Sequence, residues 1–143
     1  MTRSHPWASD AACRDSDAIW VLDAGHEKHQ PTTVVDHLEV CATCPVRPEC
    51  LRDALDSGFD IYGIWGGSTQ NERRRYRKRA DTAGGEVIRY ITGPGAAEEL
   101  EATFPTRLEA WRTKAAAHKV KMTRRARIRA SERRSKALAA ASG

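Results

Sequence analysis

Aromatic residues make up only 6% of this 143-residue chain, with two phenylalanines and two methionines. That excludes a large enzyme core and leaves room for one small domain with an extension. No apolar run approaches the ~20 residues of a bilayer span, so no membrane partner is expected. The opening MTRSHPWASDAAC shows no apolar stretch leading to a cleavage site, and the closing ALAAASG shows no lipidation box. The expectation is a cytoplasmic protein. There is no fifth cysteine beyond a set of four, and only a single C-x2-C pair among them.

What the chain has in abundance is charge, unevenly placed. Residues 1–60 carry 5 Lys+Arg against 11 Asp+Glu, a net of −6, whereas residues 86–143 carry 13 against 6, a net of +7. Between Arg112 and Lys136 eleven cations face one acid, Glu132. Such polarity suits a polyanion partner for the basic end, although a solvated cationic helix has the same composition.

The cysteines are Cys13, Cys41, Cys44 and Cys50, spaced C-x27-C-x2-C-x5-C. In a reducing compartment an even set packed this closely points to a metal or cluster site before a disulfide framework. Structural zinc favours two knuckles on one tetrahedral ion, and only one is present. A cubane iron–sulfur core, whose four irons sit at separate corners, accepts one distant cysteine and a clustered trio. Spacing leaves iron–sulfur, zinc and bystander thiols open. His5, His26, His29 and His37 are secondary zinc candidates, because four thiols already complete a tetrahedron.

After the last cysteine the sequence runs into Gly63-Ile64-Trp65-Gly66-Gly67. Glycines around an Ile-Trp pair permit positive φ or close backbone approach and present an indole on a tight corner. That indole serves either the domain's own core or another surface. Together with Cys41-Ala-Thr-Cys44-Pro-Val-Arg47-Pro-Glu-Cys50-Leu, Thr69, Glu72 and the arginines that follow, and with Trp7 and Ala11-Ala-Cys13-Arg near the start, the turn resembles the WhiB-like (Wbl) iron–sulfur regulators of actinobacteria and their phages. The likeness spans roughly residues 5–80 and ends before residue 85.

The resemblance implies an all-α fold, a small four-helix domain whose Cys13, Cys41, Cys44 and Cys50 hold an oxygen- and nitric-oxide-sensitive [4Fe-4S] cluster. It implies a partner in region 4 of the principal sigma factor, met by Gly63, Ile64, Trp65, Gly66, Gly67, Trp7 and Trp20, with the basic carboxy-terminal part on double-stranded promoter DNA. Where the family more often carries a Phe-Phe or Leu-Phe pair, this chain has Ile19-Trp20, and the family's Arg-Gly-Arg-Pro minor-groove hook is missing.

Local pattern fills in the elements. A helix is expected from a Thr32 cap, with Val34, Leu38 and Cys41 on one face. Pro48 suits the first turn of the next helix, whose apolar stripe is Cys50, Leu51, Ala54 and Leu55 and whose stop is Gly58. Arg14, Arg47 and Arg52 lie beside ligand positions, placed to offset cluster charge or to pair with acids. Thr69-Gln-Asn-Glu72 is a capping box, opening a helix expected to run through Arg79. Its cations Arg73, Arg74, Arg75, Arg77, Lys78 and Arg79 are candidates for DNA phosphate, as are Arg124, Arg125, Arg127 and Arg129 further on.

The boundaries expected are 1–82 for the cluster domain, 83–105 for a glycine-rich linker with a brief strand near Val87–Ile91, and 106–143 for a long basic tail, helical or partly disordered. Thr106 to Glu109 reads as a second capping box after Pro105. The leading function is a redox- or nitric-oxide-responsive transcription regulator, monomeric before it meets its partner and not an enzyme. The rivals are a thiol-disulfide reductase using Cys41-Ala-Thr-Cys44 in the cluster-free form and a zinc-dependent DNA binder.

Overall fold

A computed structural model describes residues 5–15, 24–80 and 88–143. Trp20, Ile19, Gly84, Gly85 and Val87 lie outside the described residues. Four α-helices, two single-turn 3₁₀ helices (Ala8–Asp10 and Glu27–His29) and one two-stranded sheet account for the regular structure there. The chain is therefore mostly helical, and the all-α expectation is corrected by the sheet.

Helix α1 (Pro31–Ala42) starts one residue before the expected threonine, with Pro31 in the first turn, where its missing N–H costs nothing. Val34 and Leu38 on its inner face are fully buried, and Cys41 packs against the same core. Helix α2 (Arg47–Asp56) also carries proline in its first turn, buries Leu51, Ala54 and Leu55, and ends before Gly58 at φ +74°.

Helix α3 (Gln70–Arg74) opens on the expected capping box. The Thr69 hydroxyl accepts from the Glu72 amide at 3.2 Å, and the Glu72 carboxylate accepts from the Thr69 amide at 3.0 Å. It stops at Arg74, five residues short of the expectation, and Arg77–Ala80 becomes strand β1. Two causes agree. Cations at i, i+3 and i+4 repel on a helix, and β2 (Arg89–Thr92) supplies an antiparallel partner that a local reading of residues 69–79 cannot see. The register pairs Arg77 with Thr92 and Ala80 with Arg89.

Helix α4 (Ala96–Ala141) is the second correction. It begins ten residues before the Thr106 box and passes straight through Pro105, which is exposed. An interior proline costs a helix about 3 kcal/mol. Burial on one face offsets it: Leu100, Phe104, Leu108 and Trp111, spaced i, i+4, i+8 and i+11, are all buried. Phe104, Leu108 and Trp111 join Val34, Leu38 and Ile64 in one cluster, while Ala96 and Leu100 join Leu51 and Leu55 in another. The first sixteen residues of α4 thus complete the core that α1 and α2 begin.

Candidate metal centre

All four cysteines line one pocket, together with Trp7, Ala11, Val40, Arg47, Ile64 and Gly66. Cys41 comes from the last turn of α1, Cys44 from the turn that follows, Cys50 from the first half of α2 and Cys13 from the amino-terminal segment. Each is half-buried and a free thiol. Among the described residues no three His, Cys, Asp or Glu side chains are drawn together around one point as a single ion would hold them.

The pocket is electrostatically unfriendly to bare thiolates. Burial pushes the Cys50 thiol up to about 12 and the Cys41 thiol up to about 11, and it raises Cys13 as well. Neighbouring sulfurs add to the rise by like-charge repulsion. Backbone amides oppose it: Gly66 N–H donates to Cys50 Sγ at 3.1 Å, and Gly67 N–H faces Cys41. Cys13, Cys41 and Cys50 become thiolates together only when a cationic centre compensates them. The donor set fits a thiolate-bound metal or cluster, and the glycine amides supply the sulfur hydrogen bonds that tune one.

The glycine turn packs directly onto α2 beside the pocket. Trp65 and Ser68 exchange backbone hydrogen bonds, each 3.0 Å, around Gly66 and Gly67 at φ +55° and +72°. Two consecutive positive φ values are what a primed hairpin turn demands. Ile64 enters the core; Trp65 stays half-exposed, its Nε1 donating to Tyr62 O at 3.0 Å.

Cys13 reaches the pocket because the segment before it is pinned to α2. Asp53 accepts from Trp7 Nε1 and bonds His5 Nδ1 at 2.8 Å. The His5 ring stacks on Trp7 at 4.9 Å and meets Trp65 edge-on at 5.9 Å. Trp7 and Trp65 therefore share one face, with His5 between them. Sequence reading missed Asp53, since an acid on an exposed helix side carries no signal until its distant partner is known. Replacing Asp53 with alanine should remove about 1 to 2 kcal/mol of anchoring and expose Cys13, speeding its alkylation by a maleimide in the metal-free chain on the order of tenfold. Unchanged labelling of Cys13 would show the anchor to be idle.

The arginines divide sharply. Arg73, expected on DNA, is 1% exposed. Its guanidinium donates to Ile61 O (2.8 Å), Gly63 O (2.9 Å), Ser68 O (2.7 Å) and Ser68 Oγ (3.2 Å). With its donors spent on the loop that leads into the glycine turn, it is not offered to phosphate, which corrects that expectation. Arg74 pairs with Asp60 at 2.7 Å, and Arg77 is half-buried against Phe59 O. Arg75, Lys78 and Arg79 are exposed, as are Arg124, Arg125, Arg127 and Arg129 on α4.

Arg47 lines the pocket, donates to Cys41 O at 3.2 Å, pairs with Glu101 of α4 at 2.7 Å and lies 4.2 Å over the Phe104 ring. Arg14 bonds Asp15 and Arg52 is exposed. Of the histidines, His5 serves Asp53, His37 is buried on α1, and His26 and His29 are exposed.

A family model described as "Transcription factor WhiB" matches residues 7–76. Among curated relatives, the transcriptional regulator WhiB1 of Bifidobacterium longum is 38% identical over 80 residues, 56% of this chain and 86% of the relative. WhiB1 of Mycobacterium tuberculosis is 38% identical over 73 residues, 51% and 86%. WhiB2 of Bifidobacterium longum is 49% identical over 74 residues, 50% and 67%. No solved structure matches. The family match stops short of β2 and α4.

Proposed function

Since the chain belongs to the WhiB family of transcription factors, we propose that Cys13, Cys41, Cys44 and Cys50 hold a [4Fe-4S] cluster in a regulator that binds the principal sigma factor and promoter DNA. The observation that carries this reading is the convergence of all four thiols on one pocket roofed by Gly66 and Gly67 amides. Bound there, the cluster supplies a centre sensitive to oxygen and nitric oxide. The chain's own residues supply the rest. Asp53 holds the segment bearing Cys13, Arg73 holds the loop before the turn, and Gly66 brings its amide to Cys50.

Joining Cys13 to Cys41 closes a loop of about 28 residues, worth roughly 3 to 4 kcal/mol on the chain-entropy argument for crosslinks. With that crosslink gone, the segment bearing Cys13 would be held to α2 through Asp53, and the scaffold would loosen. Zinc on the same four sulfurs is the rival occupant. A reductase role for Cys41 and Cys44 gains little support, because an exchanging thiol needs a depressed pKa and burial pushes Cys41 the other way.

The face shared by Trp65, Trp7 and His5 is the sigma-factor surface in this reading, and exposed Tyr62, whose carbonyl accepts from Trp65 Nε1, adjoins it. Half-exposed aromatics over a rigid turn are the kind of anchor that dominates interfaces. Trp65→Ala is expected to abolish capture of sigma region 4, a loss of at least about 2 kcal/mol, while the cluster absorbance survives. Retained capture would remove this surface from the account.

A further inference from the structure

The distal half of α4 lies outside the family match and outside the core. From residue 119 onward only Ala130 is less than exposed. At 100° per residue, Arg124, Arg125, Arg127, Arg129, Arg133 and Arg134 point all round the helix and leave no arc wider than about 100° uncharged. The exposed apolar side chains are too few for a face: Val120 and Ile128 lie about 80° apart, and Met122 is at least about 120° from either. A helix lying on a lipid surface needs one apolar face and one cationic face. A helix pairing with another helix needs a continuous seam. This segment has neither.

Charge on every side is matched by a partner that surrounds the helix with anions. The major groove of B-form DNA is ~12 Å wide, admits a helix of ~10–12 Å diameter and is walled by phosphates on both sides. The major groove of an RNA duplex is too narrow to do so. Ala126 and Ala130, between the arginines, let the backbone approach base edges.

The segment is also held in place. The amino-terminal part of the same unbroken helix is fixed to the rest of the fold by Arg47 with Glu101 (2.7 Å), by Arg107 with Gly67 O (2.8 Å) and Glu72 (3.0 Å), and by Arg112 with Glu39 (2.7 Å). Docking it therefore costs little ordering entropy.

We propose that residues 119–136 form a major-groove helix for double-stranded DNA, an assignment that rests on the promoter-binding reading and specifies how the DNA is held. The test uses the full chain, anisotropy titration against a DNA duplex, the same sequence as an RNA duplex and anionic vesicles, and dimethyl sulfate footprinting at guanine N7. The DNA duplex should bind at least about tenfold tighter than the RNA duplex, with N7 protected.

Arg127→Gln with Arg129→Gln, both on the exposed helix, should lower the slope of log K against log salt by about 1.8. DNA binding with N7 unprotected, or with equal affinity for RNA, would overturn groove insertion while leaving promoter binding intact. Tighter binding to vesicles than to the DNA duplex would overturn it as well. Absence of binding to any duplex would overturn both.

Discussion

Gly66→Ala should unfold the pocket wall. A Cβ on Gly66 would lie 2.4 Å from Leu51 N and Cβ and 2.5 Å from Leu51 Cα, all on α2, where no flexible side-chain end can swing away. The residue also sits at φ +55°, which costs an L-residue roughly 1 to 2 kcal/mol by itself. Separating the turn from α2 withdraws the amide from Cys50 Sγ and opens the apolar contact around Leu51. The expected loss is about 3 to 5 kcal/mol, a large part of the stability of a small domain.

Gly95→Ala is the internal control. It has the same sign of φ, at +77°, and nothing within 4 Å of the added methyl, so backbone strain alone should cost about 1 kcal/mol. Urea unfolding of the two variants side by side is the measurement. Equal midpoints would show that the close approach of turn and helix does not matter.

Arg73→Ala is expected to be almost as damaging. It deletes the donors that serve Ile61, Gly63 and Ser68 and takes that partner from the Ile61 and Gly63 oxygens, while Ser68 O keeps the Trp65 amide, at about 1 to 3 kcal/mol for each group lost. Summed with the lost packing, roughly 4 kcal/mol is the expected cost. Burial lowers the Arg73 pKa only to about 10, so the side chain keeps its charge at neutral pH.

Arg73→Lys separates a structural role from a phosphate role. Lysine retains the charge but cannot fork across carbonyls on both sides of the loop. Thermal unfolding should show most of the alanine loss persisting in the lysine variant. Full stability with lysine, accompanied by weaker DNA binding in the alanine variant, would return Arg73 to the DNA face.

These two residues show what the sequence could and could not disclose. The glycines and the capping box were legible because positive φ and an N-cap are local demands, written within four or five residues. The buried faces of α1 and α2 were legible for the same reason, since helical spacing is local. Arg73 was not, because six cations in seven residues look alike until the fold selects one for burial.

Strand β1 was hidden by its dependence on a partner beyond residue 88, whereas the apolar run near Val87–Ile91 already suggested the strand that became β2. Pro105 misled more directly. A proline ordinarily marks a helix boundary, and only the burial of Leu100 and Phe104 upstream with Leu108 and Trp111 downstream makes a single helix the better solution. The Asp53 anchor joins residues 46 and 48 positions apart, a distance across which no periodicity reports.

All of the pocket's features bear on one question, namely what the four sulfurs hold. Iron and acid-labile sulfide, quantified on the full chain purified without oxygen, answer it. About four of each per chain, with a broad absorbance near about 400 nm that disappears in Cys41→Ala, is the predicted result. A colourless, folded protein carrying about one zinc and no sulfide would contradict it.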